Sequence, residues 1–230
     1  TQAASPLRPH VLTVGVYGRT SDGGPVTVSG RAEVRVPAEN GPTPLPEAVT
    51  AALTGGQAVR DPFVLVNDTD LTYCLAHPDA RSLQRLGHAV AEVEDPLARA
   101  VAHSQLWAAV RDGRSHPGDY VRMVAERCTG ESHAAILTTV LDHAHQALGE
   151  YVPAPHRVNL RRVLLDALRD ALLAAAPGSD GQLILARAFA REAARDGTYA
   201  RHIQELLGGT RVVEGLPLSL SLIHISEPTR

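Results

Sequence analysis

Residues 63–83 read FVLVNDTDLTYCLAHPDARSL, and the character of the chain changes across them. Phe63–Val66 is a short apolar run suited to a buried strand. Asn67, Asp68, Thr69 and Asp70 then supply turn chemistry, because short polar side chains bond nearby backbone and tolerate unusual dihedrals. Pro78 and Asp79 open a helix. Upstream lie β-prone runs separated by Gly and Pro, and downstream come seven helix-like segments with no convincing strand. The stretch is read as a junction between a β portion and a helical portion.

Composition bounds what such a chain can do. Its 230 residues are 44% hydrophobic but only 3% aromatic, so the core is built from Ala, Leu and Val. A net charge of −3 with mixed signs argues against the basic field that drives nucleic-acid binding. No apolar run approaches the ~20 residues of a membrane helix, and no signal peptide is visible. Cys74 and Cys128 stand apart in unlike contexts and read as free thiols of a reducing cytosol rather than a disulfide. All 22 Lys+Arg residues are arginine, a bias of coding sequence rather than function. Position 1 is threonine and the only methionine is Met123, so the expectation is an internal piece of a longer protein.

The β portion holds three or four strands. His10–Tyr17 is rich in β-branched residues. In Val26–Val36, Ala32, Val34 and Val36 fall on one face and Arg31, Glu33 and Arg35 on the other, the pattern of a half-buried antiparallel strand closed by Pro37. Residues 40–46 are Pro-rich loop, Glu47–Leu53 supports a helical turn or more, and Phe63–Asn67 is the last strand. Independent stability wants two packed faces, so earlier strands of a small β-sandwich are expected upstream. A small β-subdomain packed on helices is the other reading.

The helical portion is read from caps and stripes. Asp79 opens the first helix. Asp95 caps a second, with Pro96 at its first position and Gly113 past its end. His116–Pro117 begins a third, ending near Cys128. A fourth spans about 132–149, with Leu137, Val140, Leu141, Ala144 and Leu148 on one stripe. A fifth spans about 156–175, its stripe running through Leu160, Val163, Leu164, Ala167, Leu168, Ala171 and Leu172. Ser179 or Asp180 caps a sixth, and Tyr199, Ile203, Leu206 and Leu207 mark a seventh. Alternate helices start at intervals of roughly 37 to 48 residues, the spacing of two-helix solenoid repeats, although no signature repeats. The fold class is therefore mainly α: an α-α superhelical, HEAT/armadillo-like array preceded by part of a small β-sandwich domain. The domains are 1–67 (partial sandwich), 68–218 (helical) and 219–230.

Candidate chemistry is sparse. A helical zinc pair needs i,i+4 spacing, but His143 and His145 point about 200° apart around a helix, and no H-E-x-x-H occurs. No G-x-S-x-G elbow or phosphate-cradling glycine loop is present. Arg157, Arg161 and Arg162, with Arg169, form the most basic patch. Intrahelical pairing with Asp166 and Asp170 accounts for it, while contact with a peptide carboxylate is the functional alternative. Asp61, Asp68, Asp70 and Asp79 are assigned to turns and caps.

One family shares these features in order. Val64–Tyr73 followed by Pro78–Leu83 resembles the start of the helical C-terminal domain of aminopeptidase N enzymes, zinc-dependent gluzincin aminopeptidases, and most of all their actinobacterial form. Leu7–His10 with Val14–Tyr17 resembles a strand of the sandwich that precedes that domain. Asp95–Arg99, Leu106–Trp107 and Val110–Gly113 resemble its second helix. Asp119–Val121, Ala176–Asp180, Ala186–Ala190 and Leu206–Thr210 follow in register, so the likeness covers about residues 1 to 218. After Tyr73 the chain departs from the family's basic residue and alternating strand.

The resemblance implies a parent enzyme that removes N-terminal residues from peptides. Its zinc is held by two histidines and a glutamate in an upstream thermolysin-like domain, with a second glutamate as general base. None of those residues maps onto this chain, so catalytic, metal and cofactor residues are expected to be absent. The implied role is a lid over the substrate chamber, with the missing upstream domains as partner and the cytoplasm as location. A free-standing helical-repeat scaffold that binds a protein partner is the alternative. Leu220–Arg230 does not continue the family pattern, and 219–230 reads as a non-native, adapter-derived tail.

Overall fold

The computed structural model describes residues 8–20, 23–54 and 59–199, and the single positions 201, 213 and 215. Two compact units divide the chain, residues 1–109 and 110–230.

The first unit is built on a three-stranded antiparallel sheet in the order β2-β1-β3, from β1 (His10–Thr20), β2 (Val26–Val36) and β3 (Val59–Val66). β3 begins earlier than its apolar run, taking in Arg60, Asp61 and Pro62. Leu12, Val14, Val16 and Val34 line one face and bury Val49 of helix α1 (Glu47–Thr54) among them. Gly30 lets α1 come close, since a Cβ there would lie 2.6 Å from the Ala48 carbonyl oxygen. The opposite face carries Tyr17 and Phe63, their rings stacked at 5.9 Å and both buried.

Helix α2 (Ala80–Ala89) is capped by Asp79, whose carboxylate accepts the N–H groups of Arg81 and Ser82. It continues as a 3-10 turn, Val90–Glu92. Helix α3 (Pro96–Arg111) follows; Asp95 accepts the Leu97 N–H at 2.9 Å. α3 buries Ala98, Ala102, Leu106, Trp107 and Ala109, whereas Leu97 is 46% exposed. Its burial also takes in Arg99, His103 and Gln105. The Arg99 guanidinium bonds the Val93 carbonyl at 2.7 Å and the Glu94 carbonyl at 3.0 Å, so its desolvated charge is met by backbone oxygens.

The second unit is helical: α4 (Pro117–Met123), α5 (Ala134–Gln146), α6 (Ala154–Ala174) and α7 (Asp180–Ala193). α4 and α5 each widen into a π-helical segment, Val124–Cys128 and Ala147–Tyr151, a feature with no signal in the local sequence. α6 packs on α4 and α7, and α5 packs on α7. The stripe of α5 is buried as predicted. On α6 the buried set is Leu160, Leu164, Leu165, Leu168 and Leu172. Val163 faces out and Leu165 is buried, while Leu160, Leu164, Leu168 and Leu172 keep to the predicted stripe. Residues 197–199 are helical; the remainder of the predicted seventh helix and the segment 219–230 lie outside the described residues.

Candidate functional site

The arginines singled out from the sequence lie along α6, and each is engaged by a different neighbour. Arg157 Nε donates to the Val152 carbonyl at 2.7 Å, tying the helix start to the turn before it. Arg161 Nε donates to Glu192 Oε2 of α7 at 3.2 Å. Arg162 Nε donates to Asp196 Oδ2 at 2.9 Å. The three side chains therefore do not converge on one point. Arg169 does pair within its own helix, with Asp166 and Asp170, each at 3.0 Å. Intrahelical pairing thus holds for Arg169, whereas Arg161 and Arg162 reach across to the carboxylates beyond them.

Glu192 is the centre of this seam. It is 1% exposed, and its second oxygen contacts His145 Nδ1 of α5. One carboxylate thereby links α5, α6 and α7. Burial pushes its pKa up, but the His145 and Arg161 contacts outweigh that and hold it below the usual carboxylate range. Asp196 is likewise held low: burial opposes ionisation, and Arg162 together with the Thr198 amide favours it more. Tyr199 donates to Asp166 at 2.7 Å, closing the cluster against α6. Sequence reasoning passed over Glu192, although it sits with Leu185, Ala188 and Phe189 on the buried stripe of α7 at i, i+3, i+4 and i+7 spacing. A carboxylate on an apolar stripe signals a buried ion pair.

A second polar centre lies in the first unit, at the junction. Asp68 is 0% exposed, accepts the Tyr17 hydroxyl at 2.8 Å and Arg31 Nε at 2.7 Å, and Arg31 Nη2 donates to the Tyr17 oxygen at 2.9 Å. Burial and then the Asp68 contact push the Tyr17 pKa well above the ordinary phenol value. Gly15 makes the room: a Cβ there would stand 2.4 Å from Asp68 Oδ2. Asp68 lies in the turn 67–69, as the sequence assigns it, and its carboxylate also forms a buried ion pair with Arg31 of β2. Asp79 is the N-cap predicted for it. Asp61 and Asp70 adopt left-handed φ values of 50° and 54°, and Asp61 meets Arg85 at 3.2 Å.

No metal chemistry is built on these centres. Among the described residues no group of three or more His, Cys, Asp or Glu could hold a metal ion. His145 is turned to Glu192, while burial pulls the His143 pKa down and favours the neutral imidazole. Cys74 is a free thiol, pushed up by burial and then by the charge of Asp70. The side chain of Cys128 lies outside the described residues. Among the described residues no helix is long and apolar enough to cross a membrane.

Comparison with known proteins gives these centres a setting. The ERAP1-like C-terminal domain family matches residues 63–217, beginning within β3. Aminopeptidase N of Streptomyces lividans is 31% identical over 217 residues, which are 94% of this chain and 24% of that protein. The chain thus spans about a quarter of the length of the curated relative it matches. With two thirds of its length inside that match, the chain belongs to the ERAP1-like C-terminal domain family.

Proposed function

We propose that this chain is the non-catalytic C-terminal part of a zinc-dependent aminopeptidase that releases N-terminal amino acids from peptides, with its helical portion covering the active-site chamber. The observation that carries this reading is the match to a C-terminal domain family over residues 63–217, together with the likeness to an aminopeptidase N. In this reading residues 1–67 belong to a partial β-sandwich, and 68–218 to a HEAT-like superhelical array. Zinc and the catalytic residues sit in the upstream domains, which are the chain's partners along with the peptide substrate, and the assembly is cytoplasmic. Arg157, Arg161 and Arg162 are the positions for a contact with the substrate chamber or a substrate carboxylate. Arg161 and Arg162 are bonded through Nε to Glu192 and Asp196, and it is their Nη groups that would meet the carboxylate.

The test is an assay of the purified chain with zinc and an aminoacyl-aminocoumarin. The expected result is no turnover and no stoichiometric zinc. Zinc-dependent cleavage that is lost on adding chelator overturns the reading. Sequencing the genomic DNA upstream of Thr1 checks it independently. An in-frame H-E-x-x-H with a downstream glutamate supports it, and a stop codon directly before Thr1 favours the free-standing scaffold.

A further inference from the structure

Strands β1 and β3 fall out of step at one point, which changes the charges that face each other. They pair antiparallel, with Val14 opposite Val66 and Tyr17 opposite Phe63. Continued unbroken, that register sets Arg19 against Asp61, an ordinary cross-strand ion pair. It breaks instead between Tyr17 and Arg19, so that Arg19 stands opposite Arg60 and Thr20 opposite Val59. Asp61 and Pro62 together face Gly18, the two-against-one count of a β-bulge. Asp61 fills the extra place with a left-handed φ of 50°. Bulges re-aim side chains, and non-glycine residues held at such dihedrals cluster at ligand clamps and switch regions.

Directly opposite residues share a face of the sheet, and like charges there repel. Arg19 is neutralised by Glu92, and its Nη1 donates to the Gly24 carbonyl at 3.2 Å. On α2, Arg85 is held by Asp61 at 3.2 Å and by the Pro62 carbonyl at 2.6 Å. Arg60 is exposed, and among the described residues no hydrogen bond or ion pair takes up its guanidinium. The three arginines line one cleft of about 590 Å³, together with Asp61, Gln84 and His88. Among the described residues two ion pairs cancel there, and Arg60 is the cation left over.

We propose that this cleft binds a small phosphate-bearing anion, held chiefly by the Arg60 guanidinium with Nε of Arg19 and Nε of Arg85 as flanking donors. The chemical class follows from the donors. A guanidinium presents its N–H groups as a planar fork that meets phosphate oxygens in pairs. Here the forks come from two strands and a helix, so they approach from different sides. A tetrahedral dianion has acceptor oxygens on each of those sides, whereas a flat carboxylate offers two oxygens in one plane. An anion seated between Arg19 and Arg60 turns a repulsive cross-strand pair into a bridged one, and the bulge is what sets the two arginines opposite each other. Asp61 is the opposing charge at the rim. Its side chain is 84% exposed, so it can turn into water and release Arg85 to the ligand.

The experiment titrates the isotope-labelled full chain with inorganic phosphate at fixed pH and ionic strength, chloride making up the balance, while the arginine Nε–H signals are followed. Those of Arg19, Arg60 and Arg85 are expected to shift together and to saturate with a Kd on the order of 1 mM. The Arg35 signal, from an exposed arginine of the same sheet, is expected to stay in place. Arg60→Gln should weaken binding about tenfold without lowering the unfolding temperature in chloride. Asp61→Asn, which keeps a residue tolerant of the left-handed backbone, should tighten it several-fold. A parallel titration with phenyl phosphate separates the sources: tighter binding assigns a phosphate monoester, and equal or weaker binding the free ion. Shifts that do not saturate overturn the proposal, as do shifts that succinate reproduces at equal concentration. Wild-type phosphate binding by Arg60→Gln overturns it as well.

Discussion

Glu192 of α7 receives the Arg161 guanidinium of α6 at 3.2 Å with only 2% and 12% of the two side chains exposed. Removing one member of a buried pair leaves the other charge without compensation, which costs about 3–5 kcal/mol. Glu192→Ala is therefore expected to lower the unfolding free energy by about that amount. Glu192→Gln, which keeps a hydrogen-bond acceptor, should cost less. Urea unfolding followed by circular dichroism measures both, and a loss below ~1 kcal/mol for the alanine variant contradicts the account.

The same carboxylate predicts a direction for the pH dependence. The folded-state pKa values of Glu192 and Asp196 lie below their ordinary values. Their contribution is thus complete above the unfolded values, about 3.9 to 4.3, and is lost as pH falls through the lower folded values. His143 adds to the loss at higher pH. Its folded pKa is pulled down by burial, so protonation favours the unfolded chain once pH drops below about 6.5. Unfolding free energy measured from pH 7 to pH 3 should decline in two stages. Glu192→Gln should flatten the acidic stage and leave the one near neutrality.

At the junction, Gly15→Ala is expected to destabilise the first unit by about 1–3 kcal/mol, because the new Cβ collides with Asp68 and the Tyr17 ring. Tyr17→Phe leaves Asp68 with Arg31 as its hydrogen-bond donor and should cost about 1–3 kcal/mol. A spectrophotometric titration gives a second check. Among the 5 tyrosines Tyr199 should ionise late and Tyr17 last of all, and Tyr17→Phe should remove that last step.

Arg85 donates to the Pro62 carbonyl, Ser82 accepts the Val64 N–H and Gln105 donates to the Val66 carbonyl along the outer side of β3, and these bonds are testable through single amides. Ser82→Ala removes the acceptor of the Val64 N–H. That amide should then exchange faster, at a stability cost of about 1 kcal/mol. Gln105→Leu should expose the Val66 carbonyl and leave the Val64 amide unaffected. Equal effects of both variants on Val64 would mean the edge responds as one block rather than group by group.

Helix capping makes the smallest prediction. Asp79 accepts from both Arg81 and Ser82 at 3.0 Å, and its pKa is held low by those bonds against burial. Asp79→Ala should cost about 1 kcal/mol, and Asp79→Asn distinctly less. Thermal unfolding of the two variants side by side measures the difference.

Much of the fold is legible in the chain because its signals are local. Alternation of Ala32, Val34 and Val36 with charged neighbours marks β2 with the bounds seen in the structure. Asp79, Asp95, His116 and Ser179 each begin a helix as their side chains predict. The stripe of α5 is buried as spaced. The errors are of a different kind. Val163 and Leu165 differ by two positions on one helix, and which of them is buried depends on where α4 and α7 lie, not on the period of α6.

The polar centres were the least legible. Asp68 resembles any turn residue in sequence, and only the return of β1 and β2 past it brings Tyr17 and Arg31 to its carboxylate. Arg162 has Asp166 one turn away in its own helix and still bonds to Asp196, and Arg161 bonds to Glu192, each about thirty residues on. Propensity, capping and periodicity are properties of neighbouring residues, so the sequence alone determined the strands, the helices and the family likeness of residues 63–83. Tertiary structure decided which charges are buried together and which backbone groups of β3 are bonded by helical side chains. A buried charge or a free backbone amide is settled by what packs against it from distant parts of the chain.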